Sequence, residues 1–259
     1  MHSPSLRSVR STLLLVSALC LLSTSCAMLQ SVMDMAPGGQ AQSKVLVPSQ
    51  VHPGFSVLDE SNPLAASDSR VEYLETGMAS FDAFFLESRR LEGALALSRH
   101  TLDLLEGVMD TEWIGQVFSD GALSSAVGSE VSLSASDRST LVAALLRGDT
   151  SAVSGILPGV DNAATLVQSL GEDAQTVLQL ATLVPAMVAA LGDVPGSSAG
   201  LIDQGQALVT SAPGEFAGPQ ALMVPQVVSE LRSSVEMLAG LPAETAELLG
   251  RLRAVIPGI

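Results

Sequence analysis

The sequence predicts an all-α protein, an elongated bundle of long amphipathic helices held behind a flexible tether. Composition is the first reason: the chain is 47% hydrophobic but only 3% aromatic. Ala, Leu, Val and Ser stand where sandwiches and barrels draw on Tyr, Phe, Trp, Ile and Thr. Periodicity is the second. Val71, Leu74, Met78, Phe81 and Phe85, then Phe84, Leu91, Leu95, Leu102, Leu105 and Met109, fall at spacings of three, four and seven, the repeat of a helical stripe. The third is a run from 28 to 68, rich in Pro, Gly, Ser and Gln and without a sustained period, which reads as a tether.

The N-terminus begins with Arg7 and Arg10 and no acid, followed by the apolar run LLLVSALCLL at 13–22. A basic region before a short apolar one is the layout of an export signal. Ten apolar residues are about half of the roughly 20 that a membrane-spanning helix needs. Small residues Ser23, Thr24 and Ser25 then lead into Cys26.

This arrangement resembles the lipobox of bacterial lipoproteins. The resemblance implies cleavage before Cys26, a thioether-linked diacylglycerol on its sulfur, and, with Ala27 rather than Asp following, sorting to the outer membrane of a two-membrane envelope. That family usually has Leu three places before the cysteine, where this chain has Ser23 and carries Leu22 one place further out. Cys20 follows bulky Leu19 and fits less well. An ordinary secretory signal cleaved after Ala27, with Ser25 and Ala27 as the small pair, is the alternative. The expected organisation is a signal at 1–25, a lipidated N-terminus and tether at 26–68, and a helical domain at 69–257.

Cys20 and Cys26 are the only cysteines, so after cleavage no disulfide and no cysteine-based metal site can form. Core packing alone must hold the fold. Removal of Arg7 and Arg10 leaves ten basic residues against 27 acidic ones, a net charge of −17. A surface of that sign repels nucleic acid and anionic lipid heads. A tether of about 40 flexible residues has a mean reach of roughly 35 Å, although the apolar pieces KVLV and FSVL could dock.

The first helix is expected from Ser69, which with Glu72 spells a capping box, to about Met109. Some 40 residues make about 60 Å, so a break near Gly93 or an elongated hairpin is expected. A short helix and loop should follow at 111–133, then a helix from Ser134, with Asp137 three places on, to a stop at Gly148. Asp161 should cap a long apolar helix reaching Leu191 and bent at Pro185, ended by the loop GDVPGSSAG. A shorter helix near 200–211 and two helices from about Pro219 and Pro242 complete the chain. LVPAMVAAL at 183–191 and MVPQVVSEL at 223–231 share a pattern that suggests duplication only weakly. The uncharged run 174–192 contains Gln175, Gln179 and Pro185 and is flanked by Asp173 and Asp193, which favours a buried bundle helix over a membrane span.

Chemistry-bearing patterns are few. Gly196-Ser197-Ser198-Ala199-Gly200 matches G-x-S-x-G, but no strand precedes it, and the mature histidines, His52 and His100, lie upstream. His100 has Asp103 nearby but no third ligand at helical spacing. Arg147-Gly148-Asp149 spells an integrin-binding tripeptide where a helix end calls for the same residues. No catalytic, metal or cofactor residue is assigned; Cys26 is the one site, for lipidation.

The expected function is that of a non-enzymatic structural or adaptor lipoprotein of the bacterial cell envelope, at the outer membrane and facing the periplasm or the surface. Its helical faces would bind an envelope protein. The alternative is a carrier holding an apolar or lipid ligand between helices. A lined cavity of about 300 Å³ or more would favour the carrier.

Overall fold

The structure, a computed structural model, describes residues 41–59, 64–65 and 70–257. These form nine α-helices and one two-stranded sheet, an all-α bundle with a small β appendage. Three helices make the stalk: α2 (Ala79–Val108), α8 (Glu172–Glu215) and α9 (Val224–Val255). They pack on one another along their lengths.

Ion pairs give the directions. Arg89 bonds Glu230, Arg99 reaches Glu244 at 3.1 Å, and Arg251 reaches Asp103 at 3.1 Å and Glu106 at 2.9 Å. The numbers rise together, so α2 and α9 run parallel. The turn at 216–223 joins α8 to α9 as a hairpin, so α8 runs against both. Gly205 marks the closest crossing. A Cβ there would lie 2.6 Å from Val235 Cγ2 and 2.8 Å from Phe84 Cε2.

At one end of the stalk sit α3 (Thr111–Val117), α4 (Asp120–Val127), α5 (Ala135–Leu146), α6 (Thr150–Ile156) and α7 (Ala163–Leu170). They form a head around the N-terminal part of α8 and the far end of α2. Leu141 to Leu146 are all buried, so the second half of α5 is enclosed on every side. Arg147 Nη1 donates to the Pro257 carbonyl at 2.6 Å, which fixes the head to the end of α9.

Local rules that depend on near neighbours hold. Ser134 Oγ accepts from Asp137 N at 3.1 Å while Asp137 Oδ2 accepts from Ser134 N at 3.2 Å, the reciprocal capping box that opens α5. Gly148, at φ +66°, closes that helix.

Elsewhere the elements differ from expectation. Ser69 lies outside the described residues, and Glu72 is not a capping residue. Val71–Glu75 is strand β2, paired antiparallel with β1 (Gln42–Leu46) with Gln42 opposite Glu75 and Leu46 opposite Val71. Gly77, at φ +78°, turns the chain before α2 can begin. Asp82 then holds the junction, its Oδ1 accepting from Thr76 Oγ1 at 2.8 Å.

The expected tether is shortened from its C-terminal side. β1, the short helix α1 (Pro48–Val51) and a 3₁₀ turn (Pro53–Leu58) pack on the stalk, with Leu46, Phe55 and Leu58 buried. Their seats are two small residues. A Cβ at Gly93 would lie 2.8 Å from Val51 Cγ2, and one at Gly54 would lie 2.4 Å from Ala186 Cβ. Gly93 therefore admits a neighbour rather than breaking α2.

Prolines were expected to punctuate, and mostly do not. Asn162, not Asp161, caps α7, its Oδ1 accepting from Ala164 N at 2.8 Å, and Gly171 at φ +102° separates α7 from α8. α8 then runs for 44 residues through Pro185, Pro195 and Pro213, and α9 for 32 through Pro242. The loop expected at GDVPGSSAG is helix. Val194 and Ser198 are buried on the stalk axis, and this packing on both sides outweighs the roughly 3 kcal/mol that a helix-interior proline costs. Pro185 lies inside α8 whereas Pro225 lies in the first turn of α9, so the two similar segments occupy unlike positions.

The run 174–192 packs in the bundle: Ala174, Val177, Leu180, Leu183, Met187 and Leu191 are buried. Among the described residues α8 is the one helix long and apolar enough to cross a membrane, and half of its most apolar window is buried inside the bundle.

The Gly205 crossing sets a measurable contrast within one helix. Gly205→Ala should lower stability by about 1–3 kcal/mol through overpacking. Gly200→Ala, where a Cβ meets nothing within 4 Å, should raise it by up to about 1 kcal/mol. Chemical denaturation of the two variants beside the parent checks both signs.

Candidate functional site

Each residue singled out in the sequence has a structural task where the structure describes it. Ser198 is fully buried within α8, and its Oγ donates to the Pro195 carbonyl at 3.2 Å. A serine nucleophile needs an exposed hydroxyl on a strand-to-helix turn, and this one has neither. His100 Nε2 lies 3.0 Å from the Leu64 carbonyl and so donates to it. Asp103, its expected companion, bonds Arg251 instead. His52 Nδ1 accepts from Gly54 N at 3.1 Å and opens the 3₁₀ turn. Asp149 Oδ1 accepts from Ala152 N at 3.0 Å, capping α6, so Arg147, Gly148 and Asp149 form one helix-to-helix junction. Among the described residues no group of three or more His, Cys, Asp or Glu could hold a metal. Cys26 lies outside the described residues.

What the fold does assemble is an open groove of about 700 Å³ where α5, α7 and α8 meet. Leu145, Ala163, Leu178, Ala181 and Val184 give it an apolar lining, with Pro185 at one side and Arg147 at the rim. Pro185 has no N–H, so the Ala181 carbonyl one turn earlier loses its usual helical donor. Below it the 3₁₀ turn seats Gly54 against Ala186, so the once-expected tether supports this part of α8.

Charge sets the groove apart from a neutral apolar patch. Residues 110–173 carry nine acidic side chains and only two basic ones, Arg138 and Arg147. Both arginines are engaged, Arg138 with Asp120 Oδ1 at 2.8 Å and Arg147 with the Pro257 carbonyl. The head as a whole is therefore acidic, while the one charged side chain that lines the groove itself is Arg147.

Sequence reasoning missed this groove because its walls come from three segments separated by 15 to 40 positions. The Gly148 stop and Pro185 were the only local traces of it. Compared with family models, curated proteins and solved structures, the chain matches no family model, no curated protein and no solved structure.

The Asp120–Arg138 pair is the head's titratable brace. Its hydrogen bond from Arg138, then that from Leu133 N, holds the Asp120 carboxyl below its ordinary range. A carboxyl lowered in the folded state adds stability above its unfolded value of about 4, and that stability disappears as pH falls through the lowered folded value. Arg138→Met should therefore cost stability at neutral pH, with the difference from the parent closing in strong acid. Denaturation midpoints measured across the acid range check this.

Proposed function

We propose that this chain is a non-enzymatic envelope lipoprotein, anchored through a lipid on Cys26 at the outer membrane, whose acidic head binds a protein partner. The observation that carries the reading is the apolar groove on a head whose only two arginines are already occupied. Such a surface fits a partner that brings an apolar segment, as an amphipathic helix laid in a groove does, and the acidity of the head as a whole favours a basic partner over an acidic one. Nucleic acid is disfavoured, since a net charge of −17 opposes a phosphate backbone.

The groove's volume is the specific support for a second reading, a carrier of an apolar ligand. At about 700 Å³ it exceeds the 300 Å³ that a small-molecule site needs. It is nonetheless open along the surface, whereas carriers bury most of a ligand's area. The adaptor reading therefore leads.

Two measurements separate the readings. Intact mass and detergent partitioning of the parent and Cys26→Ala come first: a diacylglyceryl mass and detergent partitioning in the parent alone support the anchor. A photo-crosslinker at Thr182, in the groove, should then join one envelope protein in a salt-sensitive manner, and Ala181→Arg should abolish the product. Saturable uptake of a fluorescent fatty acid, lost in the same variant without any protein crosslink, would support the carrier instead.

A further inference from the structure

The tip of the α8–α9 hairpin is the least expected surface on the molecule. Leu222 is 87% exposed, by far the most exposed large apolar side chain among the described residues. It lies in the 3₁₀ turn Gly218–Met223, beside the half-buried Met223 and Val224. From Phe216 to Ser229 there is no charged residue, with Glu215 and Glu230 on either side. In a chain with 27 acidic residues, fourteen consecutive uncharged positions at an exposed tip stand out. The next cation, Arg232, is exposed on α9 two turns above the tip and has no ion pair within the described residues.

The tip's position says what covers it. Phe216, where α8 ends, packs edge-on against Phe81 in the first turn of α2, with ring centroids 5.0 Å apart. β2 reaches the same first turn, because Thr76, just past its end, is bonded to Asp82. Gln42, opposite Glu75 in the sheet, is therefore at that end too. The first described strand therefore begins at the end that carries Leu222, and the head lies at the other end of α2, about 45 Å away. Sixteen residues separate Cys26 from Gln42. A lipid on Cys26 is therefore tied to the domain through the end that carries Leu222 and not through the head.

We infer that the Gly218–Val224 tip docks on the membrane that holds the anchor, with Leu222 and Met223 entering the interface and Glu215 and Glu230 staying on its aqueous side. The inference rests on the Cys26 anchor proposed above. Docking orients the stalk away from the bilayer and presents the head groove at its free end. The occupant is a lipid surface because an uncharged apolar turn has no carboxylate to desolvate, and because the anchor holds that surface within reach.

The test uses the sole tryptophan, Trp113, which lies in the head. A Leu222→Trp, Trp113→Phe double variant and the parent, both lipidated, are bound to phosphatidylcholine vesicles containing a bromine-labelled acyl chain. The indole introduced at the tip should shift to the blue and lose most of its emission, while Trp113 of the parent should change little. Flotation with vesicles but an unquenched tip indole overturns the docking and leaves the anchor standing. Failure to float withdraws the anchor and the docking together. A blue shift of the tip indole in the same variant carrying Cys26→Ala, growing with protein concentration and without vesicles, would assign the tip to contact between copies and overturn the proposal.

Discussion

The close crossing of α2, α8 and α9 at Gly205 is the constraint on which the other packing depends. No side chain fits between Phe84 and Val235 at that point, so the three helices meet with α8 backbone against side chains. The same seam continues through small buried residues, Ser88, Ser98, Thr101, Ser198, Ser234 and Thr245. Ser88 donates to the Phe84 carbonyl at 2.7 Å and Thr101 to the Leu97 carbonyl at 2.8 Å, which satisfies these two hydroxyls within their own helix, whereas those of Ser98, Ser234 and Thr245 have no partner among the described residues. Small residues let helices approach, and close approach fills the interior without many aromatic rings. The low aromatic content and the tight stalk are one fact seen at two levels.

This packing also explains which parts of the fold were legible. Ser134 with Asp137 and the stop at Gly148 were readable because their partners lie within four residues. The stripe from Phe81 to Leu105 was readable because helical burial repeats locally. Glu72 was misread because the strand that claims it is about 30 positions away, at β1. Pro195 and Pro242 were misread for a related reason: a local rule charges each proline its lost hydrogen bond but cannot count the burial that the rest of the stalk supplies. The head groove was invisible because Leu145, Ala163 and Val184 become neighbours only once α5, α7 and α8 are packed.

Cation placement follows from the same shortage of choices. The chain has twelve basic side chains, and Arg89, Arg99 and Arg251 all bridge α2 to α9. Exposed pairs contribute little singly, about 0–1 kcal/mol, so their effect here is less on stability than on register, since they favour a parallel, aligned α2 and α9 along the stalk. Placing cations in seams removes them from the remaining surface. Carboxylates such as Glu130, Asp161, Glu172 and Asp173 on the head have no ion pair among the described residues.

The range of that charge decides where it can matter. At physiological ionic strength exposed charges are screened over about 8 Å. A head about 45 Å from the stalk's other end is therefore electrically invisible to a membrane at that end, and its acidity can select only what touches the head. Conversely, only charges within a turn or two of the hairpin tip bear on an approach to lipid, and there only Glu215 and Glu230 flank a run that is uncharged from Phe216 to Ser229. The two ends thus obey different rules: the tip is governed by apolar area and the head by its net acidity. On the anchor proposed above, the acidity of the head would not oppose the approach of the tip to a bilayer, because the stalk is several screening lengths long.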